Sequence, residues 1–289
     1  MSQDRLEQSL AIDSATAAEI VRIIQEQDAT VAAAVAAQSE RIAHAIEQIA
    51  ERLSNGGHLF YVGAGTSGRI AMLDASELPP TYGVDASLVR VIMAGGERAY
   101  FAAAEGAEDD ADAAIAAVSR DVRAEDALVG IAASGTTPFT VAAVRRANML
   151  GALTIGITSV PASPLASEPD IAIAVETGPE VIMGSSRMKS GTAQKLILNT
   201  ISTGVMIRLG HVYSNLMMDM PATNEKLRGR AARMVEMVAG VTRPMAVQAL
   251  RDAGGNVKLA SVMAKRKIGA ADARRLLEEH GGSLREVLR

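Results

Sequence analysis

Three segments rich in glycine and hydroxyl residues hold the ligand-binding chemistry of this sequence: Gly63-Ala64-Gly65-Thr66-Ser67-Gly68-Arg69, Ser134-Gly135-Thr136-Thr137-Pro138 and Gly184-Ser185-Ser186-Arg187-Met188-Lys189-Ser190-Gly191-Thr192. Glycine lets backbone approach a ligand, serine and threonine add donors without bulk, and Arg187 or Lys189 can neutralise a phosphate. The first segment also satisfies G-x-G-x-x-G through Gly63, Gly65 and Gly68, with Glu97 as the acidic partner a dinucleotide site needs. A dinucleotide leaves the second and third segments without a task, whereas a compact phosphosugar uses all three, so the phosphosugar reading is favoured. Taken singly, each segment is equally a helix N-cap. Two carboxylates complete the set. Glu77 precedes Leu78-Pro79-Pro80, where an acid gains little from capping, and Glu108 lies in Glu105-Gly106-Ala107-Glu108-Asp109-Asp110. Acids at a helix start complement the macrodipole, so the residues alone leave both open between catalysis and capping.

The elements that must position these groups follow from periodicity. Short apolar runs at 58–63, 88–94, 127–133, 153–158 and 171–175 alternate with alanine-rich helical stretches such as 98–118 and 138–150. Continuous apolar strands alternating with helices predict a parallel sheet of about five strands covered on both faces, a three-layer αβα sandwich. Residues 15–53 read as helical, 190–209 as a long apolar helix, and 221–239 as another. The Pro79-Pro80 pair is expected to end the helix carrying Glu77, near its exit, with the two carboxylates partly buried. From about residue 240, short helical pieces are separated by Gly254-Gly255, Gly269 and Gly281-Gly282. The organisation expected is an N-terminal helical segment (1–55), a ligand-binding α/β domain (56–239) and a small helical domain (240–289).

Composition removes other classes. The chain has 289 residues, a net charge of −4, no cysteine and no tryptophan. That charge gives no footprint for nucleic acid, and the cysteine count removes disulfides and thiolate chemistry. The polar N-terminus is unlike a secretory signal, and no apolar run approaches the ~20 residues needed to span a bilayer; a soluble, cytoplasmic protein is expected. His44, His58, His211 and His280 have no metal-ligand spacing, no Ser-His-Asp order appears, and Lys265-Arg266-Lys267 reads as a solvated helix end.

At the stretches LFYVGAGTSGRIAMLDASELPPTYG (59–83), MAGGERA (93–99), EGAEDD (105–110), GIAASGTTPF (130–139), GPEVIMGSSRMKSGTAQKLILNTISTG (178–204) and VYSNLMMDM (212–220) the sequence resembles the N-acetylmuramic acid 6-phosphate etherase family of the sugar isomerase (SIS) superfamily. The resemblance runs from about residue 15 to the C-terminus, where the helices look like the family's small ubiquitin-associated-like domain. Departures are Leu78 where the family commonly has Cys, Thr136 where Arg is common, Ser190 where Ala is common, and Asp4-Arg5-Leu6 in place of a Thr-Glu start. The resemblance implies cleavage of a D-lactyl ether, giving N-acetylglucosamine 6-phosphate and D-lactate, with no metal or organic cofactor, in a homodimer. It places the proton donor at Glu77 and the base at Glu108, which would also activate the added water. Phosphosugar contacts fall to Gly65, Thr66, Ser67, Ser134, Gly135, Thr136, Thr137, Ser185, Ser186, Arg187 and Lys189. An aldose–ketose phosphosugar isomerase or a non-catalytic phosphosugar sensor are the alternatives; neither needs an acid to expel a leaving group.

Overall fold

The computed structural model describes residues 5–222 and 224–289; Asp4, which opens the N-terminal departure noted above, lies outside them. Three helices come first: α1 (Ala17–Asp28), α2 (Val31–Ala36) and α3 (Ser39–Ser54). A capping box starts α1, with the Thr16 side chain accepting from the Glu19 amide and the Glu19 carboxylate accepting from the Thr16 amide. Such a cap satisfies two otherwise orphaned donors.

The alternating region follows as β1 (Leu59–Gly63), α4 (Gly65–Tyr82), β2 (Val89–Met93), α5 (Ala111–Asp121), β3 (Ala127–Ile131), α6 (Pro138–Met149), β4 (Leu153–Thr158), α7 (Pro164–Ser167), β5 (Ile171–Ala174) and α8 (Lys189–Arg208). The sheet is wholly parallel in the order β2-β1-β3-β4-β5. Every residue of β1, β3 and β4 is buried, as a strand covered on both faces requires. Phe60, Val62, Leu128, Phe139 and Val144 sit in the core between the sheet and α5–α6. Each large aliphatic or aromatic side chain buried in this way contributes about 1.5–3 kcal/mol.

Two expectations are corrected. Residues 98–110 are not helical: Gly95, Gly96 and Gly106 have positive φ, and the chain makes two short 3-10 turns, Glu97–Tyr100 and Ala107–Asp109, before α5 begins. Nor does the Pro pair end α4, which continues to Tyr82 with Pro79 and Pro80 in its last turn. Proline removes N–H bonds and crowds the preceding turn, but Leu78 and Tyr82 are buried at 4% and 7% exposure and hold the turn closed. Gly83, at φ +67°, then donates to the Pro79 carbonyl.

The remaining elements are a hairpin of β6 (Val212–Tyr213) and β7 (Leu216–Met217), then α9 (Glu225–Ala239), α10 (Arg243–Asp252), α11 (Val257–Arg266), α12 (Ala270–Glu279) and α13 (Leu284–Leu288). The described residues divide into two compact units: one holds those up to Ser76 with Ala86–Val205, the other Glu77–Asp85 with Met206–Arg289. The second has its own core, including Met218, Met234, Val235, Val257 and Leu284. Among the described residues no helix is long and apolar enough to cross a membrane.

Candidate active site

Strand β1 has β2 on one side and β3 on the other, so the order reverses between β1 and β3. At such a point successive connections leave in opposite directions and a crevice opens at the carboxyl ends. Gly63 of β1 pairs with Ile131 of β3, which sets the first and second glycine-hydroxyl loops side by side.

The first loop passes directly into α4. A Cβ on Gly68 would lie 2.1 Å from Met93 Sδ and 2.9 Å from the Gly63 carbonyl oxygen. The G-x-G-x-x-G spacing therefore serves the close seating of α4 against β1 and β2. Gly65 is exposed, Thr66 half-buried and Ser67 buried at 8%.

In the second loop the Ser134 hydroxyl accepts from the Thr136 amide at 3.3 Å and from its hydroxyl at 3.2 Å. Gly135 is left-handed at φ +68°, and a Cβ there would meet Ser163 Oγ at 2.0 Å. Ser134 and Thr137 are half-buried, while Thr136 is exposed.

The third loop abuts the first. A Cβ on Gly191 would meet Thr66 Cγ2 at 3.7 Å and Ile70 Cδ1 at 3.5 Å. Ser185 and Ser186 are half-buried and Arg187 is exposed. Lys189 faces inward at 2% exposure, its Nζ donating to Gln27 Oε1 at 3.0 Å. Burial lowers its ammonium pKa from the ordinary value, with Glu180 and Asp28 opposing the shift. Sequence reasoning missed Glu180. Its buried carboxylate accepts from the Lys189 and Ser190 amides, each at 3.0 Å, and so already occupies two donors at the start of α8. The signal was an acid nine residues ahead of an apolar helix, too far for a local capping pattern.

Glu108 stands on the strap between β2 and α5, exposed, and lines a cleft of about 200 Å³ with Gly65 and Arg69 of α4, Ala94 and Glu105. The first loop and Glu108 thus share one cleft. Glu77 is on α4 ahead of its last turn, also exposed, and belongs to the second unit. Both carboxylates were expected to be partly buried; the short 3-10 turn under Glu108 and the outer face of α4 leave them open to water. Among the described residues, no group of three or more His, Asp or Glu side chains could hold a metal ion.

This is an SIS-type α/β fold. Residues 41–148 match the family model described as the glucokinase regulatory protein N-terminal SIS domain. The fold is similar to that of a phosphoheptose isomerase from Francisella tularensis, with a TM-score of 0.53, 19% identity, and coverage of 67% of this chain and 100% of that one. Within that class the chain belongs to the N-acetylmuramic acid 6-phosphate etherase family. A relative of that name from Symbiobacterium thermophilum is 56% identical over 91% of this chain and 87% of its own length. Another from Clostridium beijerinckii is 47% identical over 99% of this chain and 95% of its own.

Proposed function

We propose that this chain removes the D-lactyl ether from N-acetylmuramic acid 6-phosphate by elimination and hydration, with Glu108 and Glu77 as the working carboxylates. One observation carries the reading: Glu108 lines the same cleft as the first glycine-hydroxyl loop, in a chain of the etherase family.

In the open-chain aldehyde the C2 hydrogen is acidified by the neighbouring carbonyl. Glu108 takes that proton, the C2–H electrons form the C2=C3 bond, and the C3–O bond breaks. Its electron pair goes to the ether oxygen, which receives a proton from Glu77 and leaves as lactate. Glu77 is then ionised and Glu108 protonated. Proton balance within the pair makes Glu77 the acceptor from the water attacking C3, and Glu108 the donor that restores C2–H. In this reading the water role that the resemblance gives to Glu108 passes to Glu77, because the proton Glu108 has taken from C2 is the one it returns there. Substrate bound in the cleft displaces water from around Glu108, which supplies desolvation that the exposed carboxylate lacks in the free chain. The loop residues Gly65, Thr66, Ser67, Ser134, Gly135, Thr136, Thr137, Ser185, Ser186 and Arg187 anchor the phosphosugar, and remote phosphate binding holds the reacting carbons in place. Lys189, also expected to contact the phosphosugar, is buried at 2% exposure with its ammonium on Gln27, so in this reading it supports the third loop instead.

The chain works as a cytoplasmic homodimer in this reading, supported by family membership and by exposed Ile182 and Met183 beside the third loop. Residues 240–289 form its small accessory domain. Lactate release from N-acetylmuramic acid 6-phosphate tests the chemistry. Release by the unaltered chain and collapse in both Glu77→Gln and Glu108→Gln is expected. Folded, substrate-binding protein that releases no lactate would overturn it in favour of a sensor.

A further inference from the structure

The strap that carries Glu108 has little of its own to hold it. Residues 101–106 are all exposed, with Phe101 at 93%. Its backbone bonds close local turns, such as Phe101 to the Arg98 carbonyl, Ala107 to Ala104 and Asp109 to Gly106. The strap rests on Gly95, where a Cβ would lie 2.5 Å from the Ala104 methyl and 3.2 Å from that of Ala107. A segment with few buried contacts opens at low free energy. Among the described residues, the side-chain bonds that reach the strap from another element come from Arg69. Its Nε donates to the Tyr100 carbonyl and its Nη2 to the Ala102 carbonyl, both at 3.1 Å, bridging the apex at Phe101. The same side chain lines the cleft with Glu108.

We propose that Arg69 is a positioning residue: its guanidinium clamps the strap apex and thereby sets the place of Glu108 in the cleft. The proposal rests on Glu108 being the C2 base. The fork geometry explains why an arginine is needed, since one lysine ammonium cannot span two carbonyls in a fixed plane. A displacement of about 1 Å in a reacting group costs on the order of 10²-fold in rate, so loosening the clamp acts on the chemical step.

Two readouts on Arg69→Ala, with Arg69→Lys as the milder variant should alanine fail to fold, decide the matter. The first needs no activity. Hydrogen–deuterium exchange over residues 97–109 should quicken while exchange in β1 and β3 stays as before; unchanged protection of the strap overturns the clamp. The second is lactate release with substrate bearing hydrogen or deuterium at C2. The expected result is a kcat lower by about 10²-fold with KM nearly unchanged, a larger C2 isotope effect, and partial recovery on adding free guanidinium. A raised KM with unaltered kcat and isotope effect would make Arg69 a substrate ligand and overturn the positioning role. Glu108→Gln, measured alongside, separates the two layers: full activity there removes the base assignment, while the exchange result still judges the clamp.

Discussion

The hydroxyl of Tyr61 donates to the buried carboxylate of Asp74 at 2.9 Å. Asp74 also accepts from Asn199 Nδ2 at 2.6 Å and Ser202 Oγ at 2.9 Å. One buried carboxylate therefore ties β1, α4 and α8 together, the three elements that carry the first and third loops. Burial, reinforced by the Asp74 charge, raises the Tyr61 phenol well above its ordinary value, so it stays a donor.

Replacing Asp74 with alanine leaves three donors facing a small void. An unsatisfied buried donor costs about 1–3 kcal/mol, and a hydrogen bond to a charged group is worth about 1.5–3 kcal/mol. Urea unfolding of Asp74→Ala is expected to fall in the latter range, and Asp74→Asn to lose less because it keeps an acceptor. A loss below about 1 kcal/mol, the worth of one ordinary hydrogen bond, would contradict the structural role.

Glu180 predicts a different kind of loss. Its carboxylate caps the Lys189 and Ser190 amides, and removing a cap costs about 0.5–2 kcal/mol. Glu180→Ala should sit at the upper end, since it also takes away the charge opposing the burial of Lys189. Thermal and urea denaturation would register this. The third loop enters α8 from here, so the KM for phosphosugar should rise while the C2 isotope effect stays put.

Lys189 gives the protein a pH dependence. Its folded pKa lies below the ordinary 10.5 because burial penalises the charged form. Between that lowered value and 10.5 the unfolded chain binds more protons than the folded one, so stability rises with pH across this window. Below the lowered value both states are protonated and the penalty is constant. Stability measured from neutral to alkaline pH should climb relative to Lys189→Met, which carries no such proton; parallel profiles would refute the assignment.

The strands and the sheet were legible because burial on both faces leaves continuous apolar runs, as at 59–63 and 153–158. The three loops were legible because they sit directly after such runs or before a long helix. Over 98–110 the expected helix is replaced by the strap. Alanine favours helix locally, but Gly95, Gly96 and Gly106 take positive φ, and Ala99, Ala104 and Ala107 pack on Gly95 instead of on a helical neighbour. Proline propensity likewise misplaced the end of α4, where buried Leu78 and Tyr82 prevail. Long-range partners had no local signature: Arg69 meets carbonyls 31 and 33 residues away, and Asp74 meets side chains 125 and 128 away.

The second loop yields a prediction that separates strain from space. Gly135 at φ +68° is both left-handed and pressed against Ser163 and Thr158, whereas Gly184 at φ +83° has nothing within 4 Å of an added Cβ. Alanine at either site pays the left-handed penalty of about 1–2 kcal/mol. At Gly135 the methyl would also lie 2.0 Å from Ser163 Oγ and 2.6 Å from Thr158 Oγ1, so backbone or side chains must shift and overpacking adds about 1–3 kcal/mol. Ser163 bonds the Val160 carbonyl at 2.7 Å, which resists that movement. Gly135→Ala should therefore be the less stable of the two in urea, and its KM for phosphosugar should rise as Ser134 and Thr137 are displaced. Equal losses at both sites would mean that the second loop yields freely, and that its glycine is required by backbone conformation alone.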